Sequence, residues 1–324
     1  MIYYKHMEHI NLDTLLRPNE WADYIGQESI KKSIRVHLDA CRARGSQPEH
    51  MLLYGPPGLG KTTLSMLIAH QLGGNLKTTS GPALEKVGDV ASILTNLSDG
   101  DILFIDEIHR LNKMIEEVLY PAMERGVLDI IIGKGPSART IQLDLPPFTL
   151  IAATTRVALL SAPLRARFSG GTYRLDPYTD SEMSRIIERS STLLGIDLPS
   201  GSVGLLVNSS RSTPRTANYL LKRLRDYSEV HSGDYSVETT QSALEMLGVD
   251  NRGLFKIDRD YMLTLRDKFK SGPTGIKTLS AALEEDEGTL EDVIEPYLMR
   301  QGFIERTARG RVLTDIGLEH LMSL

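Results

Sequence analysis

The amino-acid sequence predicts an α/β fold, in which a parallel sheet with helices on both faces is followed by a small helical domain and a C-terminal winged-helix domain. Three observations support this prediction. Short apolar strands alternate with helical stretches in the first half of the chain, helical spacing takes over from Tyr178, and three helices near the C-terminus precede a basic hairpin. Strands that alternate with helices form parallel sheets, because each crossover helix covers a face of the sheet. We therefore expect domains over residues 1–177, 178–250 and 251–324.

Five short segments are expected to form the strands of the sheet, over residues 51–54, 76–79, 102–105, 148–153 and 172–175. The first strand leads into the sequence Tyr-Gly-Pro-Pro-Gly-Leu-Gly-Lys-Thr-Thr, residues 54–63. A glycine-rich turn between a strand and a helix is typical of a phosphate-binding loop, because its backbone N–H groups can turn inward around a polyphosphate. Lys61 supplies a positive charge for the β and γ phosphates, and the Thr62 hydroxyl can bind magnesium. A glycine turn with a surface lysine is the alternative, and it predicts no partner motif downstream.

A partner motif follows a second buried strand. Residues 102–105 form a continuous apolar run and lead directly into Asp106 and Glu107. Ligands of parallel sheets bind at the carboxyl ends of the strands. We expect Asp106 to hold the magnesium shell and Glu107 to orient and polarise the water that attacks the γ-phosphate. Two acids that merely cap the next helix are the alternative.

Further polar residues lie where a nucleoside triphosphatase needs them. The fourth strand ends at Thr154 and Thr155, and a hydroxyl at either position can contact the γ-phosphate or the attacking water. Arg165 and Arg167 lie at a helix end, where a cation can act as an arginine finger on a neighbouring subunit's nucleotide; that role requires an oligomer. Arg215 lies in the first turn of a helix and opposes the helix dipole, so we expect a bound phosphate to compensate it. Ion pairs with acids of the same protein are the alternative for these arginines.

Composition places the chain among ordinary two- or three-domain proteins. It has 324 residues, a net charge of −5 and a single cysteine, Cys41, so an intramolecular disulfide is impossible and a reducing compartment is expected. No apolar run approaches the length of a membrane span. We therefore expect a cytoplasmic protein without a membrane partner. The negative charge argues against a protein that coats nucleic acid over its whole surface, but it allows a local basic patch.

A hairpin with an apolar stem is predicted between the Asp106–Glu107 motif and the strand that ends at Thr154. Residues 127–132 and 140–145 flank a Gly-Lys-Gly-Pro-Ser turn. Exposed apolar area usually marks a partner site, and packing within the protein is the alternative. The candidate partner-binding residues are Leu128, Ile130, Ile132, Ile141 and Leu143.

A second hairpin, near the C-terminus, is basic. Residues 300–311 contain four arginines and one acid, which gives a local charge of +3. A basic hairpin tip suits contact with DNA phosphates, and a solvated charged loop is the alternative. The candidate DNA-binding residues are Arg306, Arg309 and Arg311.

Several segments together closely resemble one family. GPPGLGKTT, LFIDEIHRL, DIIIGKGPSAR, LPPFTLIAATTR, APLRARF and STPRTAN resemble RuvB, the family of AAA+ motors that use ATP to drive branch migration of Holliday junctions in bacteria. The resemblance spans about residues 14–322, and the hairpin segment with the basic tail is more specific than the general AAA+ motifs. Three positions depart from the family pattern: Ser169-Gly170-Gly171-Thr172 after the finger helix, Ala308 for a usual proline, and Ser212 for a usual glycine.

The resemblance implies an AAA+ P-loop sheet, a lid, ATP and Mg²⁺ as ligands, and roles for individual residues. It implies that Thr155 is sensor one, Arg167 the finger and Arg215 sensor two. It implies a nucleotide site formed by Leu16, Arg17, Tyr24, Ile25, Gly58, Leu59, Gly60, Lys61, Thr62, Thr63, Tyr178 and Arg215. It further implies homohexameric rings around duplex DNA, action on four-way junctions, docking of RuvA on the apolar hairpin stem, and RuvC as another partner.

Two other functions share part of this sequence evidence. A clamp-loader-like or protein-remodelling AAA+ ATPase would contain every nucleotide residue, but it would not need the basic winged helix. A winged-helix regulator that uses ATP only as a switch would bind the nucleotide without sustained turnover. A signalling GTPase is disfavoured, because the chain contains no Asn-Lys-x-Asp guanine-reading segment.

Overall fold

The computed structural model of the protein describes residues 11–132, 139–231 and 233–324. The chain forms two compact units, with the division after Pro177. The first unit contains a parallel sheet, and the second contains a series of helices and a short hairpin. Within the described ranges, no helix is both long and apolar enough to span a membrane.

Seven strands are described in the first unit: β1 Met51–Tyr54, β2 Leu76–Ser80, β3 Ile102–Asp106, β4 Val127–Ile132, β5 Arg139–Asp144, β6 Thr149–Thr154 and β7 Thr172–Arg174. Five of them form one sheet in the order β2-β3-β6-β1-β7, and every neighbouring pair is parallel. β4 and β5 form a separate antiparallel hairpin. The predicted parallel sheet is confirmed, because all four pairs of neighbouring strands in it run parallel. Parallel neighbours require crossover connections, which helices usually provide.

The helices of the first unit are α1 Leu12–Leu16, α2 Glu28–Arg44, α3 Lys61–Leu72, α4 Val87–Thr95, α5 Lys113–Arg125 and α6 Ala162–Ala166, with short 3₁₀ turns at Gly81–Ala83, Ile108–Arg110 and Val157–Leu159. Side-chain oxygens of Asn112 and Ser161 cap α5 and α6 by accepting N–H groups of their first turns. The buried core joins strand residues such as Leu103 and Leu150 to Ile115 and Leu119 of α5. Each fully buried leucine contributes about 2 kcal/mol to this packing.

The second unit consists of α7 Asp180–Leu193, α8 Ser200–Ser209, α9 Pro214–His231, α10 Val237–Met246, α11 Lys256–Asp267, α12 Ile276–Leu283, α13 Glu287–Thr289, a π-helical turn Leu290–Ile294, α14 Glu295–Arg300, β8 Ile304–Thr307, β9 Gly310–Leu313 and α15 Asp315–Ser323. The predicted capping box is present, because Thr179 and Glu182 exchange side-chain and backbone hydrogen bonds at the start of α7. β8 and β9 pair as an antiparallel hairpin that follows helices, as a winged helix requires. Tyr261, Leu265, Leu298 and other apolar residues form a core beneath it. The predicted fold class is therefore confirmed.

Arg211 joins the helical and winged-helix parts of the second unit. Its guanidinium forms an ion pair with Asp258, which is completely buried. The same group lies over the rings of Phe255 and Tyr297, at 4.4 and 5.0 Å from their centroids. The Arg211 carbonyl accepts a hydrogen bond of 2.7 Å from Arg300. Burial raises the pKa of the Asp258 carboxyl, and Arg211 opposes that rise by favouring the charged form.

One departure from the family pattern, Ser212 in place of a usual glycine, lies in the backbone turn at this junction. Arg211 and Ser212 have φ angles of 55° and 56°, in the left-handed region that favours glycine. A usual glycine at position 212 would adopt this conformation freely, whereas a side chain there costs about 1 kcal/mol. The ion pair and ring contacts of Arg211 offset that cost and hold the turn.

We predict that Asp258→Ala lowers the free energy of unfolding by about 3 kcal/mol, because it leaves the Arg211 cation without its buried partner. The matched control is Asp267→Ala at the end of the same helix, where the carboxylate pairs with Arg266 on the surface. We expect little change there, because exposed ion pairs are screened by water. Urea unfolding of the two variants measures the difference, and equal effects would contradict the role given to Arg211.

Candidate functional site

Three neighbouring strands end at the same edge of the sheet. β1 ends at Tyr54, β3 at Asp106 and β6 at Thr154. β6 lies between the other two, and its register places Thr154 opposite Tyr54. The Gly55 N–H donates to the Thr154 carbonyl at 3.2 Å. The glycine-rich loop after β1 and the acids after β3 are therefore brought to one place, at the carboxyl edge where parallel sheets bind ligands.

The glycines of the loop are required by close approaches. Gly55 has a φ of 141°, and a Cβ there would lie 2.5 Å from the Leu175 carbonyl oxygen. Gly60 has a φ of 97°, and a Cβ there would lie 2.9 Å from the Tyr24 hydroxyl. Gly58 also has a positive φ, 82°. The loop can adopt this path only because these positions carry no side chain.

Lys61 begins α3 and folds back over the loop. Its ammonium group donates to the carbonyl oxygens of Gly55 at 2.8 Å and Pro56 at 2.9 Å, and the side chain is buried. Gly60 at the N-cap provides no side-chain acceptor, so the first N–H groups of α3 point back toward the loop without a side-chain cap. A buried cation and a helix N-terminus directed at one loop form a strong anion-binding arrangement.

Residues before α2 were predicted to enclose the base of the nucleotide. Tyr24 is buried against the loop, and its hydroxyl contacts the Leu59 carbonyl at 3.5 Å. Leu16 is buried, Ile25 is half-buried and Arg17 is exposed. Tyr24 is thus placed beside the phosphate-binding loop, while base contacts by these four residues stay a prediction.

Two predicted nucleotide residues lie in the second unit. Tyr178 is buried, and its N–H donates to the Ser212 carbonyl at 3.2 Å. Arg215 is exposed in the first turn of α9 and forms no ion pair with any residue that the structure describes. An uncompensated cation at a helix N-terminus is consistent with the expected anion, and the nucleotide contact itself stays a prediction.

The two acids after β3 have different surroundings. The Asp106 carboxylate accepts the Glu107 N–H at 2.9 Å. Glu107 has a φ of 47°, a strained conformation of the kind found at functional sites. Its Oε2 accepts a hydrogen bond of 3.3 Å from the Thr155 hydroxyl. Thr154, by contrast, is completely buried with its hydroxyl 3.0 Å from His109. Of the two threonines, Thr155 is therefore the one placed beside the candidate catalytic carboxylate.

His109 is a site residue that the sequence analysis missed. Its Nδ1 lies 3.1 Å from Glu107 Oε2, and its side chain is only 11% exposed. In the sequence, only its position two residues after the acid pair could have indicated this role. In the structure, the 3₁₀ turn Ile108–Arg110 bends the chain back toward Glu107. An imidazole in contact with a candidate catalytic carboxylate belongs to the same constellation.

The donor set fits Mg²⁺ bound together with phosphates. Asp106, at the end of β3, provides a carboxylate, and Thr62, in the first turn of α3, provides a hydroxyl. Mg²⁺ commonly takes one or two protein oxygens and completes its shell with phosphate oxygens and water. Among the described residues, no cluster of three or more His, Cys, Asp or Glu side chains has the geometry of a metal site. A metal held by protein ligands alone therefore has no site in that part of the chain.

Arg167 is held in place by its own subunit. Its guanidinium pairs with Glu124 at 2.9 Å, donates to the Pro163 carbonyl at 2.7 Å and lies 4.3 Å from the centroid of the Tyr120 ring. Its Nε is buried and has no hydrogen-bond partner among the described residues. Arg165 is exposed. The structure thus shows Arg167, at the end of α6, packed against Glu124 and Tyr120 of α5, and its action as a finger stays a prediction.

The unusual segment after Arg167 forms a tight turn. A Cβ at Gly170 would lie 2.4 Å from the Glu49 carbonyl oxygen, and one at Gly171, where φ is 120°, would lie 2.7 Å from the Tyr173 ring. The Gly171 carbonyl accepts the Leu52 N–H at 2.9 Å. Both glycines are therefore needed to connect this segment to β1, beside the phosphate-binding loop.

The prediction that Arg311 contacts DNA is wrong. Its guanidinium is buried and donates to Glu295 at 2.9 Å and to Glu291 at 2.8 Å. Glu295, 2% exposed, also accepts a hydrogen bond of 2.9 Å from the Tyr261 hydroxyl. Arg311 lies on the same buried face of β9 as Leu313, so its side chain points into the domain and neutralises a buried acid.

Two arginines of the wing stay available to a ligand. Arg309 is exposed at the hairpin turn, and Arg306 is exposed although it forms an ion pair of 2.9 Å with Glu291. Exposed pairs of this kind exchange readily with other anions, because water screens them. The candidate DNA surface is therefore reduced to Arg306 and Arg309.

The apolar hairpin is only partly exposed. Leu128, predicted as a partner contact, is completely buried in the core beside α5, so that prediction is wrong. Ile130 is half-buried against the same core. Ile141 and Leu143, on β5, are 45% and 38% exposed. The side chain of Ile132 and the turn over residues 133–138 lie outside what the structure describes. The candidate partner surface is therefore carried by β5 more than by β4.

Three family models match consecutive parts of the chain. They describe a Holliday junction DNA helicase RuvB P-loop domain over residues 16–175, a RuvB AAA lid domain over residues 178–250 and a RuvB C-terminal winged-helix domain over residues 251–322. The Thermotoga maritima RuvB Holliday junction branch migration motor is a similar solved structure, with 43% identity, a TM-score of 0.86, and coverage of 95% of this chain and 98% of that chain. A mutant of the same Thermotoga protein matches with 43% identity, the same coverage and a TM-score of 0.87.

We predict that Arg311→Ala lowers the free energy of unfolding by about 3 kcal/mol, because it leaves the Glu295 carboxylate buried and unpaired. Arg309→Ala is the matched control in the same hairpin, and we expect its stability to equal that of the wild type. Guanidinium unfolding distinguishes the two. An Arg311→Ala variant as stable as the control would show that the guanidinium is not needed in the core.

Proposed function

The chain belongs to the RuvB family of Holliday junction branch migration motors, and on that premise we propose that it forms a hexameric ring that moves duplex DNA with RuvA. It is an ATP-driven branch migration helicase by family. The proposal concerns which of its residues perform each step, and which partners and ions it uses.

One observation carries the proposal most directly. The phosphate-binding loop, the Asp106–Glu107 pair and the Thr155 hydroxyl converge at the edge formed by β1, β6 and β3. A site that only binds a nucleotide needs the loop, whereas a site that hydrolyses it also needs a group that positions water. The contact between Thr155 and Glu107 supports this second role.

Each residue at this edge has a role that follows from its position. The N–H groups of the loop and the Lys61 ammonium bind the β and γ phosphates of ATP. The Glu107 carboxylate accepts a hydrogen bond from the attacking water and orients it toward the γ-phosphate. The Thr155 hydroxyl donates its single hydrogen to Glu107 in this structure, and it can donate that hydrogen to the γ-phosphate instead when ATP is bound. Tyr24 closes the loop on the side of the nucleoside.

Magnesium fits this site through Thr62 and Asp106. When bound, Mg²⁺ would neutralise part of the charge on the phosphates. The Asp106 carboxylate also accepts the Glu107 N–H. A magnesium ion bound to Asp106 would therefore help to hold the backbone of Glu107 in place.

Arg167 and Arg215 extend the site beyond the sheet edge. By the family resemblance we assign Arg167 to the nucleotide of the neighbouring subunit in the ring, a role that requires its ion pair with Glu124 of its own subunit to open. Arg215 is an exposed cation on the lid, so a nucleotide phosphate bound there would couple nucleotide state to the lid. The finger role of Arg167 requires an oligomer, whereas the role of Arg215 concerns the nucleotide of its own subunit.

The DNA and protein partners are assigned to separate surfaces. Arg306 and Arg309 contact the phosphates of duplex DNA and of four-way junctions. Ile141 and Leu143 carry the docking surface for RuvA, because these apolar side chains are exposed on β5. RuvC is a further proposed partner at the junction. A cytoplasmic location agrees with action on DNA and with the single cysteine.

The clamp-loader-like and protein-remodelling alternative shares the nucleotide site but receives no specific support. All three consecutive parts of the chain match RuvB models, including the winged helix. The function itself is tested by incubating the protein with ATP, RuvA and a synthetic four-way junction. We expect strand exchange that requires all three, and ATP turnover without strand exchange would contradict the proposal.

We predict that Glu107→Gln binds ATP with unchanged affinity but loses turnover by about 100-fold or more, because an amide cannot accept the proton of the attacking water. Glu117→Gln, the same change at an exposed position of α5, serves as the control and should hydrolyse ATP like the wild type. Nucleotide titration and steady-state hydrolysis measure the two quantities. Turnover retained in Glu107→Gln would remove Glu107 from the reaction.

We predict that Arg309→Ala weakens duplex binding and reduces the slope of log affinity against log salt concentration by about 1, because one phosphate contact is lost. Arg309→Lys keeps the charge and should keep the slope. Fluorescence anisotropy at several salt concentrations measures both variants. An unchanged slope in Arg309→Ala would show that the wing does not contact the backbone of DNA.

A further inference from the structure

We propose that His109 is a positioning residue for Glu107, and this inference rests on the proposed role of Glu107 in orienting water. The imidazole holds one oxygen of the carboxylate, so that the other oxygen is presented to the water in a defined orientation. His109 is not proposed to touch the nucleotide or to transfer a proton. Its effect is exerted through Glu107 alone.

The positioning role requires a hydrogen on Nδ1 of His109. His109 Nδ1 lies 3.1 Å from Glu107 Oε2 and 3.0 Å from the Thr154 hydroxyl oxygen. A carboxylate only accepts hydrogen bonds, so an unprotonated Nδ1 would place two lone pairs against each other. The proposed role therefore uses the ring with a hydrogen on Nδ1, the nitrogen nearest to the Glu107 carboxylate.

Thr154 fixes the ring from the other side. Its hydroxyl oxygen accepts the Arg156 N–H at 3.0 Å, and the residue is completely buried at the end of β6. The Thr154 carbonyl accepts the Gly55 N–H, and the Gly55 carbonyl in turn accepts the Lys61 ammonium. A continuous series of contacts thus runs from the lysine of the phosphate-binding loop to the carboxylate of Glu107.

The backbone that carries His109 is also restrained. The 3₁₀ turn starts directly after Glu107, and the Arg110 N–H closes it on the Glu107 carbonyl at 2.9 Å. Ile108 is completely buried and anchors the turn in the core. On the opposite side, a Cβ at Gly81 would lie 2.4 Å from the Glu107 carbonyl oxygen, so the chain is closely packed there as well. The ring therefore has little freedom to move away from Glu107.

The hydrogen bonds leave the two carboxylate oxygens unequal. Oε2 accepts a hydrogen bond from Thr155 and lies 3.1 Å from His109 Nδ1, whereas Oε1 has no hydrogen-bond partner among the described residues. A carboxylate with one oxygen held by two donors loses most of its freedom to rotate. Such preorganisation accelerates a reaction because the cost of orientation is met before substrate binds.

The alternative is that His109 only fills space beside the sheet. Two substitutions of similar polarity separate the alternatives. In His109→Asn the amide nitrogen is attached to Cγ, as Nδ1 is in histidine, so an N–H is retained at the position that faces Glu107. In His109→Gln the nitrogen is one atom further from the backbone, at the position of Nε2, and the N–H toward Glu107 is lost. A space-filling role predicts that the larger Gln is tolerated at least as well as Asn.

The test is steady-state ATP hydrolysis by the full-length protein carrying His109→Asn, His109→Gln or His109→Ala, with thermal unfolding of each. We expect His109→Asn to keep kcat within about 3-fold of the wild type, and the other two to lose about 10-fold or more, since a carboxylate displaced by about 1 Å can cost up to about 100-fold. The KM for ATP should stay unchanged, because phosphate binding is the task of the loop. The Asn and Gln variants should unfold at the same temperature.

Equal losses in the Asn and Gln variants would overturn the proposal, and so would a loss that follows the unfolding temperature or appears only in KM. These outcomes differ from a failure of the proposed function. If Glu107→Gln retained turnover, the role of Glu107 itself would fail. If Glu107→Gln is inactive and His109→Gln is fully active, only the positioning role is excluded.

Discussion

The site depends on the central position of β6 between β1 and β3. This order places Thr154 where its carbonyl binds the first glycine of the phosphate-binding loop while its hydroxyl contacts His109. The loop and the acid pair are distant in the sequence, and one buried threonine connects them. Because strands in a parallel sheet keep their spacing, the distance between the phosphate-binding loop and the Glu107 carboxylate is set mainly by the sheet. The proposed chemistry is thus built on the ends of paired strands.

In the second unit, two arginines stabilise the structure through ion pairs with buried acids. Arg211 pairs with Asp258 across the helical and winged-helix parts, and Arg311 pairs with Glu295 inside the wing. Each guanidinium compensates an acid that would otherwise be buried without a partner. Arg311 therefore stabilises the hairpin, whereas the exposed Arg306 and Arg309 are the arginines that can bind a ligand.

The fold and the convergence of the phosphate-binding loop with the acid pair were predictable, because both depend on local signals. The loop glycines, the apolar run before Asp106 and the alternation of strands and helices are all visible in short windows of sequence. The misplaced residues depend on contacts between distant segments. Arg311 is neutralised by Glu295 sixteen positions away, and Leu128 is covered by α5, so neither environment can be inferred from charge or apolarity alone. His109 was missed because its role arises only when the 3₁₀ turn and β6 are brought together.

The most direct measurement is an experimental structure of the Glu107→Gln variant with ATP and Mg²⁺. The account predicts a γ-phosphate in contact with Lys61 and Thr155, and a magnesium ion between Thr62 and Asp106. It also predicts the amide of residue 107 directed at a water in line with the γ-phosphate. ATP bound elsewhere, or a γ-phosphate out of reach of Thr155, would contradict the claim that ATP is hydrolysed at this edge of the sheet.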